Sequence, residues 1–168
     1  LANSSANAGP DVQICPGDTA QLGASGGIVY EWSPNVAIDN INIADPNVFP
    51  SSSTEYIVAV TNSDGCVGTD TVLVSVIQTV LAVSPDATIC IGDTAQISAS
   101  GAVTYSWIPI TNISDPSVAN PEVWPTSTTT YVVEAVDGNG CEVSDSVVVI
   151  VQPLPSINAG PDVEICEG

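Results

Sequence analysis

One sequence pattern occurs three times along the chain, and this repeat limits what the chain can fold into. The segment Pro10–Cys15 recurs as Pro85–Cys90, and again as Pro161–Cys166, one residue later than equal spacing would place it. Gly17–Gln21 is identical to Gly92–Gln96. A duplication of this length predicts that each copy is a folding unit with its own core.

The repeat also sets the predicted domain boundaries. We expect one domain at residues 1–80 with its core at 9–77, and a second at 81–155 with its core at 84–151. Residues 156–168 then begin a third, incomplete copy, so we expect the sequence to belong to a longer array. Prolines and β-branched residues between the copies favour stiff connections and an elongated rod.

Each copy has the pattern of short β-strands separated by turns. Tyr56, Val58 and Val60 stay apolar in both copies, whereas Ala59 becomes Glu134, so the first row is expected to face a core. The strands predicted in the first copy are 11–15, 18–25, 28–33, 36–44, 54–61 and 67–77, and the same strands are predicted at the matching positions of the second copy. No segment has a helical period, so the predicted fold is all-β: tandem Ig-like β-sandwich domains.

The chain contains no Lys, Arg or His and 19 Asp and Glu, which gives a formal net charge of −19 at pH 7. This charge repels nucleic acid and anionic membranes, and no apolar run is long enough for membrane insertion. Without imidazole or amine side chains there is no usual catalytic triad and no Schiff-base lysine. A pair of carboxylates acting as in glycosidases needs a cleft that domains of this size rarely supply. We therefore predict that the protein is not an enzyme.

Cysteine spacing predicts disulfides. The spacing from Cys15 to Cys66 equals the spacing from Cys90 to Cys141. Pairing within each copy satisfies four cysteines and leaves Cys166 to a partner outside its own repeat or in a missing part of the third copy. A Cys66–Cys90 bridge would leave Cys15 unpaired. Each intra-copy bond is expected to add about 4 kcal/mol of stability and indicates an oxidising, extracytoplasmic setting; free buried thiols and a two-cysteine zinc site are the alternatives.

Several short motifs combine in a specific way along the chain. They are Ala8–Gly17, Trp32–Pro34, Ala119–Pro121, Pro125–Tyr131 and Asp137–Cys141. This combination resembles the tandem Ig-like/PKD-like repeats of secreted and cell-surface proteins of Bacteroidota, including adhesins and gliding-associated proteins. The resemblance covers essentially the whole chain. The first copy departs from it at residues 50–56, where serines stand in place of the usual threonines.

The resemblance implies export to the cell surface and a structural role in a bacterial filament or large adhesin. The partners it implies are neighbouring repeats or identical subunits in a fibre, with any glycan or cell-surface ligand bound elsewhere in the full chain. The alternative is a carbohydrate-binding or spacer module of a secreted enzyme. In a third arrangement, residues 156–168 complete the sheet of another subunit and Cys166 bonds between chains.

Secreted proteins of that phylum also resemble one another in carrying O-glycans at Asp-Ser/Thr followed by a small or aliphatic residue. The matching candidates are Thr19, Thr71, Thr94 and Ser146. Alternatively, each preceding Asp is a turn residue that opens a strand, with the hydroxyl on the solvent face.

Aromatic residues recur at matching positions in the two copies. We predict that six of them lie in the cores: Tyr30, Trp32, Tyr56, Tyr105, Trp107 and Tyr131. Trp32 and Trp107 are expected to pack beside the disulfide as in Ig domains, and a sugar-stacking surface is the alternative.

We expect no cofactor, although the composition leaves calcium open. Asp39, Asp45 and Asp115 lie in predicted loops and offer the oxygen ligands that Ca²⁺ takes. The spacing of an EF-hand is absent, and a solvated anionic surface is the alternative explanation.

Overall fold

The computed structural model describes residues 5–158 and 160. The chain divides into two compact units. The first comprises the chain up to Val80 together with Asp137–Glu142, and the second comprises Leu81–Val136 and the chain from Val143 onward. The third copy of the repeated motif, with Cys166, lies outside the described residues.

The first unit is built from six strands arranged as two sheets. Its strands are β1 (Val12–Ile14), β2 (Ala20–Gln21), β3 (Val29–Ser33), β4 (Asn47–Val48), β5 (Thr54–Thr61) and β6 (Val67–Val76). The larger sheet has the order β1-β6-β5-β3, and β2 pairs with β4 in the smaller one.

The second unit repeats this plan and adds one pair of short strands. Its strands are β7 (Ala82–Val83), β8 (Ala87–Cys90), β9 (Ala95–Gln96), β10 (Ala99–Ser100), β11 (Thr104–Ile108), β12 (Glu122–Val123), β13 (Thr129–Val136) and β14 (Glu142–Gln152). The larger sheet has the order β11-β13-β14-β8, and the pairs β12-β9 and β10-β7 complete the unit. In each unit a four-stranded sheet faces short paired strands, and this makes the chain all-β and Ig-like, as the alternation predicted. None of the described residues forms a helix of the length and hydropathy that a membrane span requires.

The first strand of each repeat pairs in parallel with the last. In the first unit Val12 lies opposite Val74 and Ile14 opposite Val76, at the far end of β6. In the second unit β8 pairs with β14 in the same way, with Cys90 opposite Gln152. This pairing places the end of the first strand beside the end, and not the start, of the last strand.

Each core lies between the larger sheet of its unit and the short paired strands opposite it. In the first unit Trp32, Val58 and Val60 from the larger sheet pack with Leu22 and Val48 from the β2-β4 side. The residue rows expected to face inward do so, since Tyr56, Val58, Val60, Val72 and Val74 are at most 1% exposed. The matching cluster of the second unit is organised around Trp107 and Tyr131.

Sequence patterning located the long strands, but it overextended the strand predicted at 18–25, of which only Ala20–Gln21 (β2) forms, and it failed in one loop. The predicted strands at 28–33, 54–61 and 67–77 correspond to β3, β5 and β6. The strand predicted at 36–44 is wrong: this segment is a series of turns, with Ala37 at a φ of 51°. Side-chain acceptors hold the turns, since Asn40 Oδ1 accepts from the Asn42 N–H at 2.9 Å. Asn and Asp compete in this way with strand pairing.

Tyrosine hydroxyls connect the cores to these turns by hydrogen bonds, and the shortest of these bonds is shorter in the first repeat than in the second. The Tyr56 hydroxyl donates to the Val36 carbonyl at 2.9 Å. The Tyr131 hydroxyl lies 3.3 Å and 3.4 Å from its acceptors, the carbonyls of Asn112 and Thr111. Both rings are fully buried.

We expect Tyr56→Phe to lower the free energy of unfolding by about 1 kcal/mol, because a short buried hydrogen bond is lost. The matched change Tyr131→Phe should cost less, since its bonds are longer. Urea unfolding followed by tryptophan fluorescence measures both. Equal losses in the two variants, or a larger loss for Tyr131→Phe, would contradict this explanation.

A disulfide clasp as the candidate functional site

A disulfide joins the first repeat to the second. Cys15, the residue after β1, is bonded to Cys141, the residue before β14. Their Cα atoms lie 5.4 Å apart, and the two cysteines are 126 positions apart in the sequence. The turn with Cys141 belongs to the first compact unit, although its sequence belongs to the second repeat. We call this bond, together with Asp137 and Thr79, the clasp.

The predicted pairing within each copy is therefore wrong. Cys15 follows Ile14, which lies opposite Val76 at the end of β6, whereas Cys66 precedes the start of β6. A strand of 10 residues spans about 30 Å, far beyond the reach of a disulfide. The second repeat has the same arrangement, because Cys90 lies opposite Gln152 at the end of β14 and Cys141 precedes its start.

Two further cysteines carry free thiols. Cys66 is half-buried and Cys90 is exposed. Cys166 lies outside the described residues, so its predicted external partner stays a prediction.

The turn that carries Cys141 is held by one carboxylate. Asp137 Oδ1 accepts from the backbone N–H of Asn139 at 2.8 Å and from that of Cys141 at 2.9 Å. The backbone N–H of Asp137 donates to the Cys141 carbonyl at 3.0 Å. Gly140, at a φ of 87°, provides the left-handed residue that closes the turn. The position of the Cys141 sulfur is thus fixed by the local sequence Asp-Gly-Asn-Gly-Cys.

The same carboxylate ties the turn to the rest of the first unit. The Thr79 hydroxyl donates to Asp137 Oδ2 at 2.7 Å. Hydrogen bonds from the Cys141 N–H and then from Thr79 lower the pKa of Asp137 to about 2. Asn62 occupies the matching place in the first repeat, where its Oδ1 accepts from the Asp64 and Cys66 N–H groups at 3.0 Å and 2.9 Å.

The aspartate of the repeated Pro-Asp motif has a role that sequence patterning did not identify. Asp11 Oδ1 accepts from the Leu73 N–H at 2.9 Å, and Asp86 Oδ1 accepts from the Val148 N–H at 2.8 Å. Each bond ties the residue before the first strand to the last strand of its sheet. The sequence did carry a signal for this role, because Pro-Asp recurs shortly before each cysteine. The hydrogen bond of the aspartate positions the cysteine that follows.

The candidate O-glycosylation residues are all on the surface. Thr19, Thr71, Thr94 and Ser146 are exposed. The side-chain carboxylates of two of the four preceding aspartates accept hydrogen bonds: Asp70 Oδ2 accepts from the Ala8 N–H at 2.8 Å, and Asp145 Oδ1 accepts from the Ser146 N–H at 2.7 Å. Glycosylation at these hydroxyls stays a prediction.

Two of the three aspartates considered for calcium, Asp39 and Asp115, serve as turn acceptors. Asp39 accepts from the backbone N–H and the side-chain amide of Asn47 at 2.9 Å and 2.8 Å, and these bonds lower its pKa. Asp115 accepts from the Ser117 hydroxyl at 2.6 Å. Within the described residues, no three Asp, Glu or Cys side chains gather with the geometry of a metal site. Asp45 is exposed, and calcium binding stays a prediction.

The six aromatic residues divide into two groups. Trp32, Trp107, Tyr56 and Tyr131 are at most 1% exposed, which leaves no ring face for sugar stacking. Tyr30 and Tyr105 are half-buried, and their hydroxyls donate at 2.9 Å to the carbonyls of Gly27 and Ala102. The indole N–H of Trp32 donates to Ile43 and that of Trp107 to Val118, each at the carbonyl. The Cys15–Cys66 bond that was expected beside Trp32 does not form, because Cys15 is bonded to Cys141 instead.

Neither a protein-family model nor a curated protein sequence matches the chain. Among solved structures it is similar to the IG1+IG2 pair of DIP-gamma, with 13% identity and a TM-score of 0.43 over 84% of this chain and 93% of that one. It is also similar to the insect immune protein hemolin, with 12% identity and a TM-score of 0.43 over 87% of this chain and 46% of that one. The Ig1-2 module of the Drosophila receptor DLAR has 13% identity and a TM-score of 0.36 over 87% and 96% of the two chains. At these TM-scores, the Ig-like assignment rests on the strand order and the paired sheets.

The low pKa of Asp137 gives the clasp a pH dependence. The carboxylate's pKa is about 2 in the folded chain against an ordinary value of 3.8, so its stabilisation is complete above about pH 4 and is lost as the pH falls through 2. We expect the carboxyl carbon of Asp137 to titrate near pH 2 by NMR. Thr79→Val should raise this midpoint, because one donor is removed.

Asp137→Asn is the matched control, since Asn62 makes the same two backbone bonds in the first repeat. This variant should keep the turn and abolish the titration of the Cys141 amide resonance. A midpoint near 3.8 in the unaltered chain, unmoved by Thr79→Val, would show that these hydrogen bonds do not control the carboxyl group.

Proposed function

We propose that the chain is a non-enzymatic structural segment of an extracellular bacterial surface filament or large adhesin. Its task is mechanical: to hold successive Ig-like repeats together while the array projects from the cell or connects it to its surroundings. The observation that carries this proposal is the Cys15–Cys141 bond. It joins consecutive repeats covalently in addition to the backbone.

The bond limits how far the chain extends under load. Cys15 and Cys141 close a loop across 126 residues that contains every described strand except β1 and β14. A force applied at the two termini first pulls on β1 and β14, which lie outside the loop and pair with β6, β8 and β13. Once these two strands are pulled away, the force passes through the sulfur atoms and bypasses the strands inside the loop. Those strands can unfold without lengthening the chain, whereas the same strands in an open chain would be pulled out in sequence.

Composition supports an exposed location. The chain has no Lys or Arg, so proteases that cleave after basic residues find no peptide bond to cut. A disulfide of this kind forms and persists in oxidising compartments outside the cytoplasm. The carboxylates are used as acceptors for backbone N–H groups, as at Asp11, Asp86 and Asp137, so the absence of cations leaves these turns satisfied.

Single-molecule force spectroscopy tests the mechanical role. With the chain tethered at both termini, reduction should increase the extended length by about 430 Å, because 126 residues are released at roughly 3.4 Å each. Cys15→Ser should show the long extension with or without reductant. Cys90→Ser is the matched control and should behave as the unaltered chain.

Equal extension of the oxidised and reduced chain would overturn the mechanical role. Location is tested separately, by labelling intact cells of the source organism with an antibody against the chain. Label found only after the cells are permeabilised would overturn the surface assignment.

A carbohydrate-binding or spacer module is the second candidate, and one observation favours it. Phe49 and Trp124 occupy matching positions and are 51% and 40% exposed, unlike the buried tryptophans of the cores. Exposed aromatic faces are typical of sugar-binding surfaces. Retention on a polysaccharide column that Trp124→Ala abolishes, with unchanged unfolding, would favour this function over the filament segment.

A further inference from the structure

The two free thiols occupy the repeat positions of the two bonded sulfur atoms. Cys90 is the counterpart of Cys15 in the second copy, and Cys66 is the counterpart of Cys141 in the first. The described part of the chain therefore contains one complete bond and the two separate halves of a second and a third bond of the same kind. In the described residues these are the free thiols, at Cys66 and Cys90.

The strand-end half is built alike in both repeats. The Cys15 carbonyl accepts from the Asp18 N–H at 3.1 Å, and the Cys90 carbonyl accepts from the Asp93 N–H at 3.0 Å. Gly17 and Gly92 turn the chain after each cysteine at φ values of 89° and 96°. Cys90 is thus held in the backbone geometry that presents the Cys15 sulfur to its partner.

The turn half is also built alike. The Asn62 N–H donates to the Cys66 carbonyl at 3.0 Å, as the Asp137 N–H does to the Cys141 carbonyl. The side-chain oxygen of Asn62 accepts from the Cys66 N–H at 2.9 Å, the same length as the bond from Cys141 to Asp137. The turn around Cys66 therefore exists before a partner binds it.

Exposure differs between the bonded and the free halves. Cys141 is fully buried and Cys15 is half-buried, whereas Cys66 is half-buried and Cys90 is exposed. Each free cysteine is the more accessible member of its matching pair. A preformed half with an accessible sulfur atom is the state expected of a bonding site whose partner is missing.

We propose that Cys90 forms a disulfide with the turn cysteine of a following repeat, and that Cys66 forms one with the strand-end cysteine of a preceding repeat. The ligand of each site is therefore another Ig-like repeat of this kind, supplied by the same polypeptide or by a second copy of the chain. Every pair of consecutive repeats is then joined by a clasp, and the loops closed by successive bonds overlap. This inference deepens the structural role proposed above and rests on it.

The chemistry of the step is an oxidation of two thiols. One S–S bond forms, and two protons and two electrons leave the two cysteines. A small-molecule disulfide accepts them, and its own S–S bond is reduced to two thiols by exchange through a mixed disulfide. In the experiment this oxidant is oxidised glutathione.

Two complementary variants test the pairing, both carrying Cys166→Ser so that this thiol takes no part. Cys66→Ser keeps only the strand-end half, and Cys90→Ser keeps only the turn half. In oxidised glutathione we expect each variant alone to stay monomeric and an equimolar mixture to form a heterodimer on a non-reducing gel. The chain with both cysteines present should form a ladder of oligomers that reductant collapses.

Peptide mapping identifies the bond, because cleavage before aspartate separates the cysteines. The segments Asp11–Gly17, Asp64–Thr69, Asp86–Gly92 and Asp137–Ser144 carry Cys15, Cys66, Cys90 and Cys141 respectively. We expect the heterodimer to contain the second segment linked to the third, and each monomer to contain the first linked to the fourth. Homodimers that form as readily as the heterodimer, a Cys66–Cys90 bond within one chain, or no bond at all would overturn the proposal.

Natural material distinguishes the two sources of the partner repeat. Linked segments in a polypeptide whose mass is unchanged by reduction place the partner in the same chain, and a mass that falls on reduction places it in a second copy. Failure of the heterodimer together with a force response that still depends on Cys15 would reject this inference alone. Loss of the force response would reject the proposed function itself.

Discussion

The parallel pairing of the first strand with the last decides where the sulfur atoms of each repeat lie. Ile14 lies opposite Val76, so Cys15 sits at one end of the larger sheet while Cys66 sits at the other. A length of about 30 Å along β6 separates them and prevents a bond within the repeat. Because each repeat places one cysteine at each end of its sheet, a bond requires a neighbour. The clasp, the free thiols and the proposed mechanical role all depend on this arrangement.

The fold needs no cationic side chains, because neutral hydrogen-bond partners satisfy its polar groups. The carboxylates with bonds to backbone N–H groups include Asp11, Asp70, Asp86 and Asp137. At Asp70 and Asp137 these bonds lower the pKa of the carboxyl group, so its charged form is stabilised without a lysine or arginine beside it. In the described residues every buried side-chain nitrogen and oxygen has a hydrogen-bond partner. The uniform negative charge is thus a property of the surface and does not conflict with the cores.

The two repeats keep the same turns but differ in the side chains that hold them. Asn62 and Asp137 hold the same turn, one with a neutral amide oxygen and one with a carboxylate. Only the carboxylate has a second oxygen free to accept the Thr79 hydroxyl, and this is the turn whose cysteine is bonded. Asp39 and Ser114 likewise accept from the backbone N–H of the residue eight positions later. Turn geometry is kept in both pairs, whereas the charge of the side chain that accepts the hydrogen bond is not.

Local patterning by itself determined the all-β class, the long strands β3, β5 and β6, the inward rows of Val and Tyr, and the burial of Trp32 and Trp107. These follow from side-chain alternation and from comparison of the two copies, both of which are visible along the chain. The turns at 36–44 were missed because side-chain hydrogen bonds there compete with a β-rich composition. The disulfide was decided only by the tertiary structure. Equal cysteine spacing in the two copies is consistent both with pairing within a copy and with pairing to the next copy. Only the parallel register of β1 on β6 shows that the two cysteines of one copy lie too far apart to bond.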